Sequence, residues 1–326
     1  MKRVKILGTG VSLPSKVLTN TDLERMVDTS NAWITERTGI EERRIAAPEV
    51  STSDLCADAV RQACKNAEID PGDLDVVIVG TSTADTLFPS TACWVQRKLG
   101  IQGMAAFDVS AGCTGFLYGL ELATSLLASR TAQRVAVVGG EVMSKVINWN
   151  DRRTCVLFGD GAGAAIVAAS DDGSGVLASN WGADGNLAPI LYQPAGGTQM
   201  PATHETVDAN AHTVHMEGNT VFKHAVLAMS SAAVKAMKDA EVTADDVKLL
   251  VPHQANIRIM EAARERTGVS KDKLYSVLHK YGNMSAATIP VALHEARQEG
   301  RIEDGDIIVM TAFGTGFTWG ASVLRW

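Results

Sequence analysis

Three stretches of the chain are dominated by apolar residues and short enough for strands buried on both faces. They are LDVVIVGT at 74–81, VAVVG at 135–139 and IIVMT at 307–311. Between such runs the apolar positions recur at helical spacing. Cys56, Val60, Ala63, Cys64 and Ala67 fall on one face of a helix that Ser53 can N-cap, and 221–240, rich in Ala, Val and Met, forms another. MAAFDV (104–109) reads as a further strand. GFLYGLELATSLLAS (115–129) follows it as a helix with Leu117, Leu120, Leu126 and Leu127 among its apolar positions. Strands alternating with helices predict an α/β fold with mostly parallel sheets.

The pattern also repeats. KNAEIDPGDLDVVIVGTS (65–82) aligns without gaps on KDAEVTADDVKLLVPHQA (238–255), each reading as a helix end, a polar turn and a strand. Later in each half, FGDGAGAAIV (158–167) resembles FGTGFTWGASVL (313–324). Two matches in the same order predict a duplicated chain whose halves, 1–172 and 173–326, meet near residue 172. The segment 171–217 is polar, Gly-rich and without periodicity. It predicts a long excursion between the halves, and long loops in compact domains are often functional.

Composition narrows the function classes. The 326 residues are 46% hydrophobic and 21% charged, an ordinary globular mixture with material for a sizeable core. A net charge of −7 argues against generic binding to nucleic acid or an anionic membrane, while leaving room for a local basic cluster that meets an acidic partner. The opening MKRVKILGTGVSLP is basic, but its apolar stretch is short, holds Lys5 and is followed by no A-x-A site. No stretch approaches a membrane span, so the expected location is cytoplasmic. Five cysteines, at 56, 64, 93, 113 and 155, form no CxxC pair, which predicts reduced thiols and no zinc or other metal site.

Four places could carry chemistry. Cys113, in DVSAGCTGF, falls where a strand turns into a helix. A thiol there faces the positive end of the helix dipole, which favours the thiolate, and Ala111, Gly112 and Gly115 let backbone approach closely. The alternative is a small buried filler, as Cys56 and Cys64 read. His253 directly follows the strand VKLLVP, and ligand sites of α/β sheets gather at the carboxyl ends of strands. Asn283, in YGNMSAATIP, reads equally as a turn or cap residue. AFGTGFTWG (312–320) lacks the P-loop pattern but could present backbone N–H groups to an oxyanion.

Taken together, Cys113, His253 and Asn283 resemble the Cys-His-Asn triad of the β-ketoacyl-acyl carrier protein synthase III family of the thiolase superfamily. The likeness runs through MVDTSNAWITERTGIEERRI (26–45), FPSTAC (88–93), SAGCTGF, DRRTCVLFGDGAGAA, VPHQANIRI, YGNMSAA and FGTGFTWG. It implies a five-layered αβαβα fold of two similar halves, a homodimer, and a decarboxylating Claisen condensation that begins fatty-acid synthesis. An acyl-CoA primer acylates Cys113, and malonyl-acyl carrier protein then condenses with it. No cofactor is implied, since acyl-CoA is a substrate.

The resemblance also implies residue roles. The N–H groups of Cys113 and Thr315 hold the thioester oxyanion, while His253 and Asn283 donate hydrogen bonds that stabilise the enolate left by decarboxylation. Trp33 and Arg152 sandwich the adenine of coenzyme A, Arg37 lies near its phosphates, and Asn219 and Asn256 line the pantetheine channel. Phe88 reaches the partner subunit's acyl pocket, its bulk suggesting short primers, which Met284 and Trp94 could modify. Lys223 and Arg258 dock the acidic carrier protein, with Arg264, Arg266, Lys271 and Lys273 nearby and an acid, Glu265, where a base is common. Thr315 stands where the family usually has Gly, and a β-branched residue takes positive φ poorly.

Two other classes fit parts of the pattern. A condensing enzyme or acyltransferase of a secondary pathway can retain the same triad. A cysteine thioester hydrolase would use Ala111–Gly115 as a relaxed nucleophile elbow and would need an acid between the cysteine and histidine in chain order. A non-catalytic homologue is expected to have lost the nucleophile.

Overall fold

The structure is a computed structural model that describes residues 3–326. The first sheet contains β1 (Arg3–Ser12), β2 (Val76–Gly80), β3 (Ala105–Val109), β4 (Arg134–Val142) and β5 (Asp160–Ser170), in the order β1-β5-β4-β2-β3. The second contains β6 (Gly175–Ala183), β7 (Val247–Pro252), β8 (Ile307–Gly314) and β9 (Thr318–Arg325), in the order β7-β8-β9-β6. Superposed by order, β6, β9, β8 and β7 repeat β1, β5, β4 and β2. A single parallel bridge from Leu250 to Leu274 stands where β3 would be repeated.

Both sheets are mixed rather than mostly parallel. β2 runs parallel to β3 and β4, and β7 to β8, but β5 is antiparallel to β1 and β4, and β9 to β8 and β6. Only residues 315–317 separate β8 from β9. A connection that short closes a hairpin and cannot hold a crossover helix. The segment from 171 is also more regular than its polar composition suggests, because GVLASNWGA pairs along β9 as β6, and the irregular excursion begins only at 184.

Among the described residues, seven helices of eight or more residues accompany these sheets: α1 (Asn31–Thr38), α2 (Thr52–Asn66), α3 (Thr91–Leu99), α4 (Gly115–Ala128), α5 (Gly218–Asp239), α6 (Ile257–Thr267) and α7 (Thr288–Gln298). Strand alternation decides the layers. Ile78 and Val137 of the first sheet, and Val251 and Met310 of the second, face a shared central core with Leu120 of α4 and Leu293 of α7. Val77 and Val138 point the other way onto Cys56 and Val60 of α2. Leu250 and Val309 likewise face Ala232 and Ala236 of α5. The outcome is five layers, αβαβα, with α4 and α7 in the middle one. Ser51, not Ser53, caps α2: the Asp54 carboxylate accepts the Ser51 N–H at 2.9 Å, while the Ser53 hydroxyl donates to Asp85.

The middle layer places the first half's helix start beside the second half's loops. A Cβ on Gly80, at the end of β2, would lie 2.4 Å from the carbonyl carbon of Gly115. Strand and helix therefore meet backbone to backbone there, which seats the turn carrying Cys113 directly above the sheet.

Candidate active site

Cys113, His253, Asn283 and Thr315 line one cavity of about 1080 Å³, although they come from four segments and both halves of the chain. Cys113 is in a one-turn 3₁₀ segment, Gly112–Thr114, that runs into α4. Gly112 has φ +56°, and a Cβ on it would lie 2.4 Å from the backbone nitrogen of Thr315. Glycine at 112 is thus what lets the β8–β9 hairpin approach the cysteine. Thr315 accommodates its β-branch because the left-handed φ falls on Gly316, at +132°.

The thiol does not have the low pKa expected from its place at a helix start. Cys113 is buried, and desolvation of the charged form, the largest influence, pushes its pKa up to about 12, against a favourable hydrogen bond from Ser285. The helix dipole is present, but burial outweighs it.

His253 is completely buried at the end of β7, and burial depresses its pKa to about 3, so the ring is neutral. Its Nδ1 lies 2.7 Å from Thr288 Oγ1, and its Nε2 has no partner among the described residues. The 3₁₀ turn closes with the Thr288 N–H donating to the Ser285 carbonyl. The Thr288 hydroxyl also reaches that carbonyl at 3.0 Å, so its one proton faces two acceptors, the Ser285 carbonyl and His253 Nδ1.

Asn283 is gripped through its backbone. Its N–H donates to the Leu157 carbonyl at 2.9 Å and its carbonyl accepts the Gly159 N–H at 3.0 Å. Its Oδ1 accepts the Ser285 N–H at 2.8 Å, which turns its NH₂ group into a donor for a ligand. The inner cavity therefore presents the Cys113 thiol, the NH₂ donor of Asn283 and the unpaired Nε2 of a neutral His253 ring.

Towards the mouth the cavity is lined by Trp33, Arg37, Asn219, Asn256 and Arg258. Ser30 caps α1 through the Trp33 N–H at 3.2 Å. The Arg152 guanidinium stacks over the Trp33 ring at 5.4 Å and donates to the Asp28 carbonyl at 2.8 Å. Asn256 caps α6 and also donates to the Arg37 carbonyl at 2.9 Å, so it fixes the position of α1 at the mouth. Phe88 lies outside its own cavity: with Leu87 it protrudes from the loop after β2, 85% exposed. Met284 and Trp94 do not line the cavity either; Met284 is fully buried in the central core, and Trp94 donates to Thr86 Oγ1.

Comparison with known proteins agrees with this geometry. Residues 107–185 match the model of the 3-oxoacyl-[acyl-carrier-protein (ACP)] synthase III family, and residues 237–326 match that of its C-terminal region. Over 321 residues the chain is 54% identical to the beta-ketoacyl-[acyl-carrier-protein] synthase III of Caldanaerobacter subterraneus subsp. tengcongensis, covering 98% of this chain and 97% of that protein. The chain belongs to the 3-oxoacyl-[acyl-carrier-protein] synthase III family. Among solved structures, the 3-oxoacyl-[acyl-carrier-protein] synthase III of Aquifex aeolicus is 46% identical with a TM-score of 0.92, covering 99% of this chain and 100% of the other. The priming beta-ketosynthase of the R1128 polyketide pathway is 32% identical with a TM-score of 0.91, covering 99% and 96%.

Several residues of this synthase III site escape a reading of the sequence. Ser285 supports Asn283 and Thr288 supports His253 from behind, and nothing in local pattern sets them apart from ordinary cap and core positions. Arg43 is fully buried without a carboxylate. It donates to the Val156 carbonyl at 2.7 Å and to Asn20 Oδ1 at 2.9 Å, bracing the segment that holds Asn283. Its signal was a charge doublet, ERR, inside an otherwise unremarkable strand. The basic residues near α6 also sort differently. Arg264 turns inward to the Val269 carbonyl, Lys273 donates to the carbonyls of Ala244 and Asp245, and Lys271 pairs with Glu261. Lys223, Arg258 and Arg266 remain exposed, with Arg258 over the Phe222 ring at 5.7 Å.

Proposed function

We propose that Cys113 receives the acyl group of an acyl-CoA primer and that His253 and Asn283 then promote its condensation with malonyl-acyl carrier protein. This is the reaction that initiates fatty-acid synthesis. In the first half-reaction Cys113 Sγ attacks the thioester carbonyl, the bond to the coenzyme A sulfur breaks, and coenzyme A departs as its thiolate. In the second, the malonyl group loses carbon dioxide, its C2 forms a bond to the acyl carbonyl, and Cys113 Sγ leaves. The enolate between those events carries its charge on the malonyl thioester oxygen. The N–H donors of neutral His253 and of Asn283 stabilise that charge in a site with little water, where a single donor is worth about 3–4 kcal/mol.

The observation that carries the reading is the meeting of these three side chains on one cavity, with His253 Nε2 buried and unpaired. A hydrolase triad is disfavoured because His253 Nδ1 faces the Thr288 hydroxyl and not a carboxylate. The same proposal assigns Trp33, Arg37, Arg152, Asn219 and Asn256 to coenzyme A, Thr315 and Cys113 N–H to the oxyanion, and Lys223 with Arg258 to the carrier protein. It also assigns exposed Phe88 to the acyl pocket of a second copy in a homodimer. No described helix is long and apolar enough to cross a membrane, and both proposed substrates are carried by water-soluble groups, consistent with a cytoplasmic reaction.

The test is intact-protein mass spectrometry after exposure to a panel of straight and branched acyl-CoAs. Wild-type protein gains one acyl mass and Cys113→Ser gains none while keeping its fold; an adduct that persists in the variant overturns the assignment. Similarity to the R1128 priming ketosynthase favours one second reading, a primer for a secondary pathway. Condensation products from the same panel with malonyl-acyl carrier protein separate the two by primer preference.

A further inference from the structure

Arg43 is a completely buried cation for which the condensation described above names no task. It belongs to the short strand Glu42–Ile45, which pairs antiparallel with Lys16–Thr19. Its Nη1 donates to the Leu18 carbonyl at 3.2 Å and to Asn20 Oδ1 at 2.9 Å, and Nη2 donates to the Val156 carbonyl at 2.7 Å. These acceptors are all neutral, and Nε is buried without a partner among the described residues. Burial lowers the pKa only to about 10, so the group is charged at neutral pH. A cation taken out of water among neutral partners costs more than an apolar chain of similar size. What the apolar chain could not supply is the fork, which grips two chain segments at once.

One of those segments is the wall that carries Asn283. Val156, Leu157 and Phe158 line the cavity beside it. The Leu157 carbonyl accepts the Asn283 N–H at 2.9 Å, the Gly159 N–H donates to the Asn283 carbonyl at 3.0 Å, and Phe158 forms a parallel bridge with Asn283. Arg43 fixes the peptide unit just before Leu157. A Cβ on Gly159 or Gly282 would lie 2.9 or 3.3 Å from the Arg43 Cβ, so the same side chain backs both flanks of that bridge. We propose that Arg43 is a positioning residue for the Asn283 amide, serving the malonyl half-reaction and not the acylation of Cys113. This role rests on the reading of Asn283 as a donor to the malonyl thioester oxygen.

The contacts lead from the guanidinium to the amide without a gap. Arg43 holds Val156, Leu157 and Gly159 hold the Asn283 backbone, and the Ser285 N–H donates to Asn283 Oδ1, which aims the NH₂ group. A shift at Val156 therefore reaches the amide through the backbone, and a misplacement near 1 Å can cost about 100-fold in rate. Cys113 and Thr315 stand in other segments, the turn Gly112–Thr114 and the hairpin connection at 315–317. No hydrogen-bond partner of Arg43 belongs to either. Asn20 also ties Arg43 to the cavity mouth, since its amide donates to the Ile40 carbonyl at 2.7 Å and to Asn31 Oδ1 of α1 at 3.0 Å. Those bonds use Nδ2, whereas Arg43 uses Oδ1, so α1 keeps its anchor when Arg43 is replaced.

The experiment compares wild-type, Arg43→Met, Arg43→Lys and Asn283→Ala proteins, with Asn283→Ala also added to each Arg43 variant and thermal melts to confirm folding. Acyl-adduct formation from acetyl-CoA and release of carbon dioxide from malonyl-acyl carrier protein are timed separately. Arg43→Met is expected to form the adduct within about twofold of the wild-type rate and to decarboxylate about tenfold more slowly or worse. Arg43→Lys keeps the stem and the charge, but one ammonium cannot span Asn20 and Val156, so decarboxylation alone should slow by about threefold. That variant decides the matter where Arg43→Met fails to fold. Adding Asn283→Ala should then cost less than it does in wild-type protein, because the amide is already misplaced. Unchanged decarboxylation, equal slowing of both half-reactions, or the full Asn283→Ala penalty on top of the Arg43 change overturns the positioning role. An Asn283→Ala protein that decarboxylates at the wild-type rate instead overturns the donor reading of Asn283, and the positioning role with it.

Discussion

Thr288 Oγ1 lies 2.7 Å from His253 Nδ1 and 3.0 Å from the Ser285 carbonyl, so the direction of its one proton sets which ring nitrogen is protonated. An unprotonated Nε2 would repel the enolate oxygen, whereas Nε2–H stabilises it. The enolate role proposed for His253 needs that proton turned to Nδ1, and Thr288→Val removes it with little change in shape. Malonyl decarboxylation is expected to slow roughly tenfold, the worth of one neutral hydrogen bond, with acylation of Cys113 unchanged. Rapid-quench assays of the two half-reactions check this, and equal slowing of both would refute the tautomer assignment.

The neutral state of His253 also links stability to pH. Its folded pKa is about 3 against 6.5 in an unfolded chain, so between those values the unfolded state binds the extra proton. Stability contributed by neutral His253 is therefore whole above pH 6.5 and declines as pH falls towards 3, by up to about 1.4 kcal/mol per pH unit. His253→Gln should flatten that part of the acid limb. Melting temperatures of the two proteins from pH 4 to 8 should converge as pH falls; parallel curves would contradict the burial argument.

Gly80 has no room for a side chain because Gly115 occupies it. Gly80→Ala is expected to separate β2 from the start of α4, costing about 1–3 kcal/mol as other overpacked cores do. Since that helix start carries Cys113, acylation should fall along with stability. Urea unfolding paired with acyl-adduct rates measures both, and a full acylation rate in a destabilised variant would show that the helix start is positioned by other contacts.

Two basic residues near the cavity mouth should behave in opposite ways. Lys223 is exposed on α5, so Lys223→Glu is expected to raise KM for malonyl-acyl carrier protein and weaken its salt dependence without affecting acyl-CoA. Arg264 donates to the Val269 carbonyl just past the end of α6. Arg264→Ala should lower stability and leave carrier-protein kinetics intact. Steady-state kinetics at two ionic strengths with thermal melts distinguish them, and the reverse outcome would relocate the docking face.

Much of this was legible in the chain. The apolar runs within 74–81 and 307–311 are strands buried on both faces, too short for a buried helix, and the repeat at 65–82 and 238–255 does mark equivalent elements of the two sheets. Cys113 stands out because small residues surround it at a strand-to-helix junction, and His253 because it ends a strand. The antiparallel strands β5, β6 and β9 were harder to place, since alanine- and glycine-rich strands lack the strong alternation that reports a partner.

Local sequence patterns were enough for the two-half α/β architecture, the place of Cys113 at a strand-to-helix junction and the motifs of the synthase III family, because periodicity and turn chemistry act over a few residues. They could not decide the protonation of Cys113 and His253. That depends on water being excluded by chain segments more than a hundred residues apart, which no local pattern encodes. Nor could they single out Ser285 or Thr288, whose importance comes from standing one hydrogen bond behind Asn283 and His253 once the chain is packed.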